Sequence, residues 1–498
     1  MFLNIAIRFH PVVKLALVLL ATLSTTSVWS ASFDNGRPEN GNLQWMQYSK
    51  FMEPPRKLPP PDQAIPSGDS PAFDAAELLS AANNSEWILE PLPTHQIEPA
   101  GYLVKLQKYG KQNGAADGFR VTPYGAFWGD MIYASRRTKT GPFTLFVFSE
   151  QTEGEGAFTV DMRRSRFGMN VAGPRIAWLG GARSKGRVEI DFFGDFVTEN
   201  KASVLLRHAY WEVGNEDFRL LVGQTSDVIS PLYPGTLNYS VGWFGGNIGY
   251  RRAQFRAERY WQPLPQMALT LQGSLNQDVV TDFPTDPGVR RESAGWPLVE
   301  SRVAVTMGDK SQIGKAAELG ISGHIGQTGF DFLKAGPPPL NLPPQDDARF
   351  LTWSFNIDLR LPVSERWGAQ AEFFTGSNLS TMFGGIGQGV CPCLRVPIRS
   401  TGGWFDLWYN WTDRLHSHVG YGLDDPLDRD SLFGRIYNQF IFANVTFDVS
   451  DKLLTGFEVT SWKTLYHETR VGQIPDDQLT PSAPGESVVL QWMVKYGF

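Results

Sequence analysis

The chain has only two cysteines in 498 residues, which suits an exported protein with little disulfide stapling. Beyond the N-terminal run no stretch approaches the roughly 18 apolar residues of a spanning helix, so a helical membrane protein is excluded. Excess charge is scarce too. With 45 basic against 51 acidic residues, the formal charge of -6 argues against a basic, nucleic-acid-seeking surface. Cys391 and Cys393 have no further Cys or nearby His to complete a tetrahedral zinc set, which leaves a loop disulfide or two free thiols. The Gly384 to Gly389 stretch lacks the strand-to-helix context of a phosphate cradle. No metal or cofactor is expected.

What is present is aromatic and alternating. Aromatics make up 13% of the chain and Gly numbers 50, while hydrophobic residues reach only 42%. A transmembrane barrel averages out this way, because polar lumen residues alternate with apolar lipid-facing ones. The final run, V-V-L-Q-W-M-V-K-Y-G-F, places Val488, Leu490, Trp492, Val494, Tyr496 and Phe498 on one face. Gln491 and Lys495 fall on the other. An unprotected edge of this kind invites aggregation in water, whereas a closed barrel in lipid pairs it. Strands ending in Phe resemble the terminal strand by which bacterial outer-membrane barrels are recognised, so Phe498 is expected to engage the barrel assembly machinery.

Three parts are expected. Residues 1–30 read as a secretory signal for Sec export, with Arg8, His10 and Lys14 before the short apolar run Leu15 to Leu23 and a cut before Ala31. Residues 31–118 form a Pro-rich periplasmic extension or linker, in which only Asp74 to Ala82 reads as helix and no sustained heptads occur. Residues 119–498 form an all-β antiparallel transmembrane barrel. Its β-patterned runs begin with Val121 to Tyr133 and Asp161 to Val171, include Val241 to Tyr250, and end with Leu453 to Trp462 and Val488 to Phe498. They number about 16 to 18, each near the roughly 9–11 residues of a tilted spanning strand, and an even count favours about 16. Breaks such as 214–217 and 450–452 are tight. Asp278 to Pro297, Gly329 to Ala348, Gly376 to Thr401 and Glu468 to Glu486 are long and external in character.

Strand faces locate the charges. Glu189, Asp191 and Asp195 oppose Val188, Ile190 and Phe192; Arg164, Arg166 and Asn170 oppose Phe167 and Met169; Arg256 and Glu258 oppose Phe255 and Ala257. A charge on the lipid face costs about 2–4 kcal/mol near the midplane, so the polar sets point inward. Barrels of this size enclose an aqueous channel, and the pattern predicts a porin in the bacterial outer membrane.

The stretches M-R-R-S-R-F-G-M-N, V-E-I-D-F-F-G-D-F, L-L-R-H-A-Y-W-E-V-G and L-L-V-G-Q-T-S-D-V-I-S-P-L, between Met162 and Leu232, resemble the DcaP-like porins. That resemblance implies a sixteen-stranded homotrimer that passes small solutes passively and favours anions such as dicarboxylates. The chain departs from the family pattern in its Pro-rich 31–118 region, where members often carry a coiled-coil extension.

Anion pores use rings of Arg or Lys. The candidates here are Arg164, Arg166, Arg207 and Arg256, with Glu189, Asp191 and Glu258 as the opposed field. Arg163 shares the face of Phe167 and Met169 and ranks behind them. Arg207 shares a face with Trp211 and Val213, which leaves it open between the pore, a rim and a snorkelling position. Each charge has the alternative of simply bracing the wall. Ser226 to Tyr239 reads either as an inward constriction loop or as an ordinary external one. A lipase-like barrel enzyme and a non-conducting adhesion barrel stand as alternatives. The first would rest on His416-Ser417-His418, where Ser417 and the two imidazoles should point to opposite faces.

Overall fold

The computed structural model describes residues 119–498 except 153, 195–201, 280–287, 309–315, 337–339 and 468–482. The export signal, the Pro-rich region, Asp195 and most of the break at Glu468 to Glu486 lie outside the described residues. Among the described residues, no helix is long and apolar enough to cross a membrane.

Sixteen strands among the described residues close into one antiparallel barrel. They are β1 Arg120–Ala134, β2 Ala157–Asp161 continuing in Arg166–Ile176, β3 Ala182–Asp191 and β4 Leu205–Gly214. Next come β5 Phe218–Ser226, β6 Arg251–Leu264, β7 Met267–Asn276 and β8 Val289–Glu292 continuing in Leu298–Met307. The wall goes on with β9 Ala317–Phe332, β10 Gln345–Pro362, β11 Trp367–Ser377 and β12 Arg399–Asn410. It ends with β13 Leu415–Pro426, β14 Arg435–Asp448, β15 Leu453–Tyr466 and β16 Gly485–Gly497. β16 returns to β1, with Trp128 opposite Lys495 and Met131 opposite Trp492. Closure gives every strand two neighbours, which a lipid environment demands of any β structure.

The alternation in sequence becomes two surfaces. Along β16, Val488, Leu490, Trp492 and Tyr496 are exposed, while Ser487, Val489, Gln491 and Met493 are buried inside. In β10, Leu351 and Phe355 face out, and Ser354, Asn356 and Asp358 face in. The expected break at Gly329 to Ala348 is shorter than its composition suggested, because Gly329 and Phe330 continue the ladder opposite Arg349 and Ala348.

The expected strand Asp161 to Val171 is interrupted. Ser165 N donates to Met162 O at 3.0 Å, and Ser165 Oγ accepts from Trp128 N at 2.9 Å. This turn resets the strand's parity. Arg163 therefore points inward, against expectation, and pairs with Asp161 at 2.6 Å.

Val241 to Tyr250 is not a strand. It belongs to segment 227–250, which leaves β5 and folds into the barrel before β6 begins. Gly242, Gly246 and Gly249 take φ of 81°, 118° and 96°, in the left-handed region, and break the extended run. A Cβ on Gly246 would collide with the Gly403 carbonyl of β12, so only glycine lets the loop lie this close to the wall. Its apolar residues are spent on the lumen rather than on lipid. Phe143 and Phe146 from segment 135–156, Tyr239, Trp243, Phe244 and Tyr250 from 227–250, and Phe383 and Ile386 from 378–398 form one buried cluster with Phe193. Strand number alone implies an aqueous lumen; this one also holds an apolar core of its own.

Candidate pore constriction

Segment 227–250 lies inside the barrel, packed against its wall and against segments 135–156 and 378–398. From Val228 to Tyr250 it carries no Asp, Glu, Lys, Arg or His. Lying inside without strand partners, its backbone N–H groups need acceptors. The wall supplies carboxylates. Val228 N donates to Glu300 of β8 and Leu232 N to Glu372 of β11, both at 2.7 Å. Gly235 N donates to Asp406 of β12 at 2.9 Å, and Leu237 N and Thr236 Oγ1 donate to the two oxygens of Glu458 of β15, each at 2.7 Å. Remaining valences on these acids go mostly to neutral donors: Trp404 Nε1 to Glu372, Gln370 to Asp406 and Asn444 to Glu458. Glu300, Glu372, Asp406 and Glu458 are thus engaged in holding the loop.

The adjoining wall, β16–β1–β2, is basic. Trp128 of β1 lies among three cations: Lys495 Nζ at 4.6 Å from its ring, and the Arg164 and Arg166 Cζ atoms at 5.2 Å each. Register produces the group, since Lys495 sits opposite Trp128 and Arg166 opposite Ala126. Arg164 donates to Leu237 O at 2.5 Å and lies 3.9 Å from Asp130, so it is a loop anchor as well as a charge. Arg166 and Lys495 make no ion pair among the described residues. Loop tip and basic wall meet here, with Leu237 packing in one apolar cluster with Trp128 and Met493.

The other candidates are placed differently. Arg207 is buried inside and bonds Glu189 and Asp191, each at 2.7 Å. Tyr239 Oη donates to Asp191 at 2.8 Å, which stitches the loop to β3 and β4. Burial raises the Tyr239 hydroxyl above its ordinary value and Asp191 raises it further, so it remains a donor. A register shift between Glu189 and Ile190, where β3 pairs with β4, takes Arg207 out of the simple alternation, and strict parity could not place it. Arg256 bonds Gln254 at 2.8 Å and lies 3.5 Å from Glu258. Glu258 also holds Arg219 at 3.2 Å. The structure therefore brings Arg164 and Arg166 together at the loop tip, groups Glu189, Asp191 and Arg207 in one network, and sets Arg256 and Glu258 apart as a wall brace.

Lys495 is the residue that parity placed toward the lumen but the choice of candidate arginines overlooked. The loop-holding acids were missed because nothing in a strand's own alternation shows that a distant loop will reach it. Of the remaining motifs, Ser417 accepts from Trp411 Nε1 at 3.0 Å, while His418 contacts Asp406 and His416 contacts Asn410 and Asp448. The serine and both imidazoles sit on opposite faces of β13, so no Ser–His pair forms. Cys391 and Cys393 are joined as a disulfide within segment 378–398. The Gly-rich stretch in that segment lies against the wall, with Ile386 N donating to Asp424 at 3.0 Å.

The barrel is similar in fold to the crystal structure of the outer membrane channel DcaP of Acinetobacter baumannii, with 16% identity over 77% of this chain and 99% of that one and a TM-score of 0.57. It is more distantly similar to an anion-selective porin from Comamonas acidovorans, at 11% identity over 76% of this chain and 100% of that chain, TM-score 0.46. Outer-membrane expressed OmpT of Vibrio cholerae aligns at 12% identity over 77% of this chain and 99% of that chain, TM-score 0.45. No protein-family model matches the chain, and no curated protein matches it. At these identities the likeness is one of fold.

Proposed function

We propose that this protein is an outer-membrane porin, a passive channel for small hydrophilic solutes that favours anions. One observation carries the reading: a constriction loop that is uncharged from Val228 to Tyr250 is held by acids of the wall, while Arg166 and Lys495 lie beside its Leu237 contact without ion-pair partners among the described residues. Fixed cations at a narrow, low-dielectric point raise the local concentration of anions and repel cations. The barrel fold shared with a DcaP channel supports an outer-membrane location and passage through the lumen. Small anions such as dicarboxylates, a homotrimer and insertion through the barrel assembly machinery are part of the same reading, supported by the resemblance of residues Met162 to Leu232 and by the terminal strand.

Liposome swelling tests it. Purified full-length protein in vesicles should admit small dicarboxylates faster than neutral sugars of equal size, and those faster than diamines. Equal rates for the three would remove the anion preference, and no swelling at all would remove the channel.

A further inference from the structure

Arg251, the first residue of β6, is 7% exposed and takes no part in the pairing that accounts for most other buried arginines of the wall. Its Nε and one terminal nitrogen, Nη2, have no hydrogen-bond partner among the described residues, and neither does Trp243 Nε1. The Arg251 Cζ lies 4.8 Å from the Tyr250 ring and 5.9 Å from the Trp243 ring. Those two rings meet edge-on at 5.4 Å, and Phe383 packs on both, 4.5 Å from each and inclined by 36° to Trp243 and 33° to Tyr250. Nε and Nη2 form the side edge of the guanidinium, the pair of parallel donors that matches the two oxygens of one carboxylate. A buried fork with both prongs unmet is costly to keep unless an acceptor reaches it. The neighbours offered to that acceptor's body are aromatic. Arg252, the next residue, shows the contrast: its Nε is spent on Asp227 at 2.8 Å.

We propose that Arg251, with Trp243 and Tyr250, forms a binding site for an aromatic monocarboxylate, whose carboxylate takes the Nε/Nη2 fork and whose ring lies against the aromatic cluster. The site is separate from the basic group at Trp128. It rests on the reading of the barrel as an anion-admitting pore only in that the ligand must enter the lumen.

Isothermal titration of the full-length protein in detergent micelles with benzoate, acetate and benzyl alcohol separates the contributions. Benzoate should bind, and acetate and benzyl alcohol should each bind at least about tenfold more weakly, the loss typical of a charge-assisted bond or of ring contact. Arg251→Gln should weaken benzoate by about tenfold or more. Trp243→Phe keeps the ring and removes one donor, so it should weaken benzoate by a few-fold and serves if the arginine variant does not fold. Equal binding of benzoate and acetate, or full affinity in both variants, would overturn the site. Bilayer reversal potentials on the same samples keep the two readings apart. A pore that lacks anion preference while benzoate still binds removes the general function alone, and an anion-selective pore with no benzoate binding removes this site alone.

Discussion

Arg207 shows how much one side chain can hold. It satisfies Glu189 and Asp191 at once, and Asp191 in turn accepts from Tyr239 of the inward loop. Arg207→Ala strands two buried carboxylates, and removing one partner from a buried ion pair costs on the order of 3–5 kcal/mol. Thermal unfolding in detergent should fall accordingly, and an unchanged midpoint would show the network to be idle. Single residues also mark where the sequence stops being readable. Arg163 and Arg207 both escape simple alternation, one because a turn splits β2 and the other because a bulge shifts β4. Each local event changes which face a side chain takes, and neither leaves a mark in apolar periodicity. Lys495, in an uninterrupted strand, follows its parity.

At the scale of elements, segment 227–250 is governed by its fixings. Glu458 accepts with both oxygens, from Thr236 Oγ1, Leu237 N and Asn444 Nδ2. Glu458→Gln keeps the shape but sets an amide N–H against one of those donors. The loop should loosen by about 1–3 kcal/mol, seen as added open-channel noise in bilayers; noise equal to that of the native protein would show that this acid does not hold the loop. Gly246→Ala combines an unfavourable φ with a collision at Gly403, and should cost at least about 1 kcal/mol and open 227–250 to proteinase cleavage, mapped by mass spectrometry. The same glycines explain why this element was misread. Val241 to Tyr250 has a strand's richness in apolar side chains, and only the requirement for positive φ tells a lumen-filling loop from a wall strand. The sixteen wall strands were legible because lipid on one side and polar lumen on the other force a period of two; the loop meets protein on all sides and obeys no such period.

At the scale of the whole molecule, the barrel sorts charge by face and by side. Trp492 is exposed on the outer face and Gln491 is buried inside, one residue apart. Trp492→Lys should destabilise the membrane-inserted barrel by about 2–4 kcal/mol, whereas Gln491→Lys should leave it near native, as measured by urea unfolding in lipid bilayers. The reverse order would invert the assignment of faces. Within the lumen, Glu300, Glu372, Asp406 and Glu458 hold a loop that is uncharged from Val228 to Tyr250, and Arg166 and Lys495 of β2 and β16 have no ion-pair partner among the described residues. The proposed anion preference rests on that imbalance more than on any single residue, and it is only partly visible in the sequence, which offers the arginines but not their partners. The measurement that bears on it most directly is the reversal potential of single channels in a KCl gradient, for the native protein and for Arg166→Gln with Lys495→Gln. The native pore should favour chloride and the double variant should shift toward potassium; a native pore that favours potassium, or a double variant with an unshifted potential, would contradict the account.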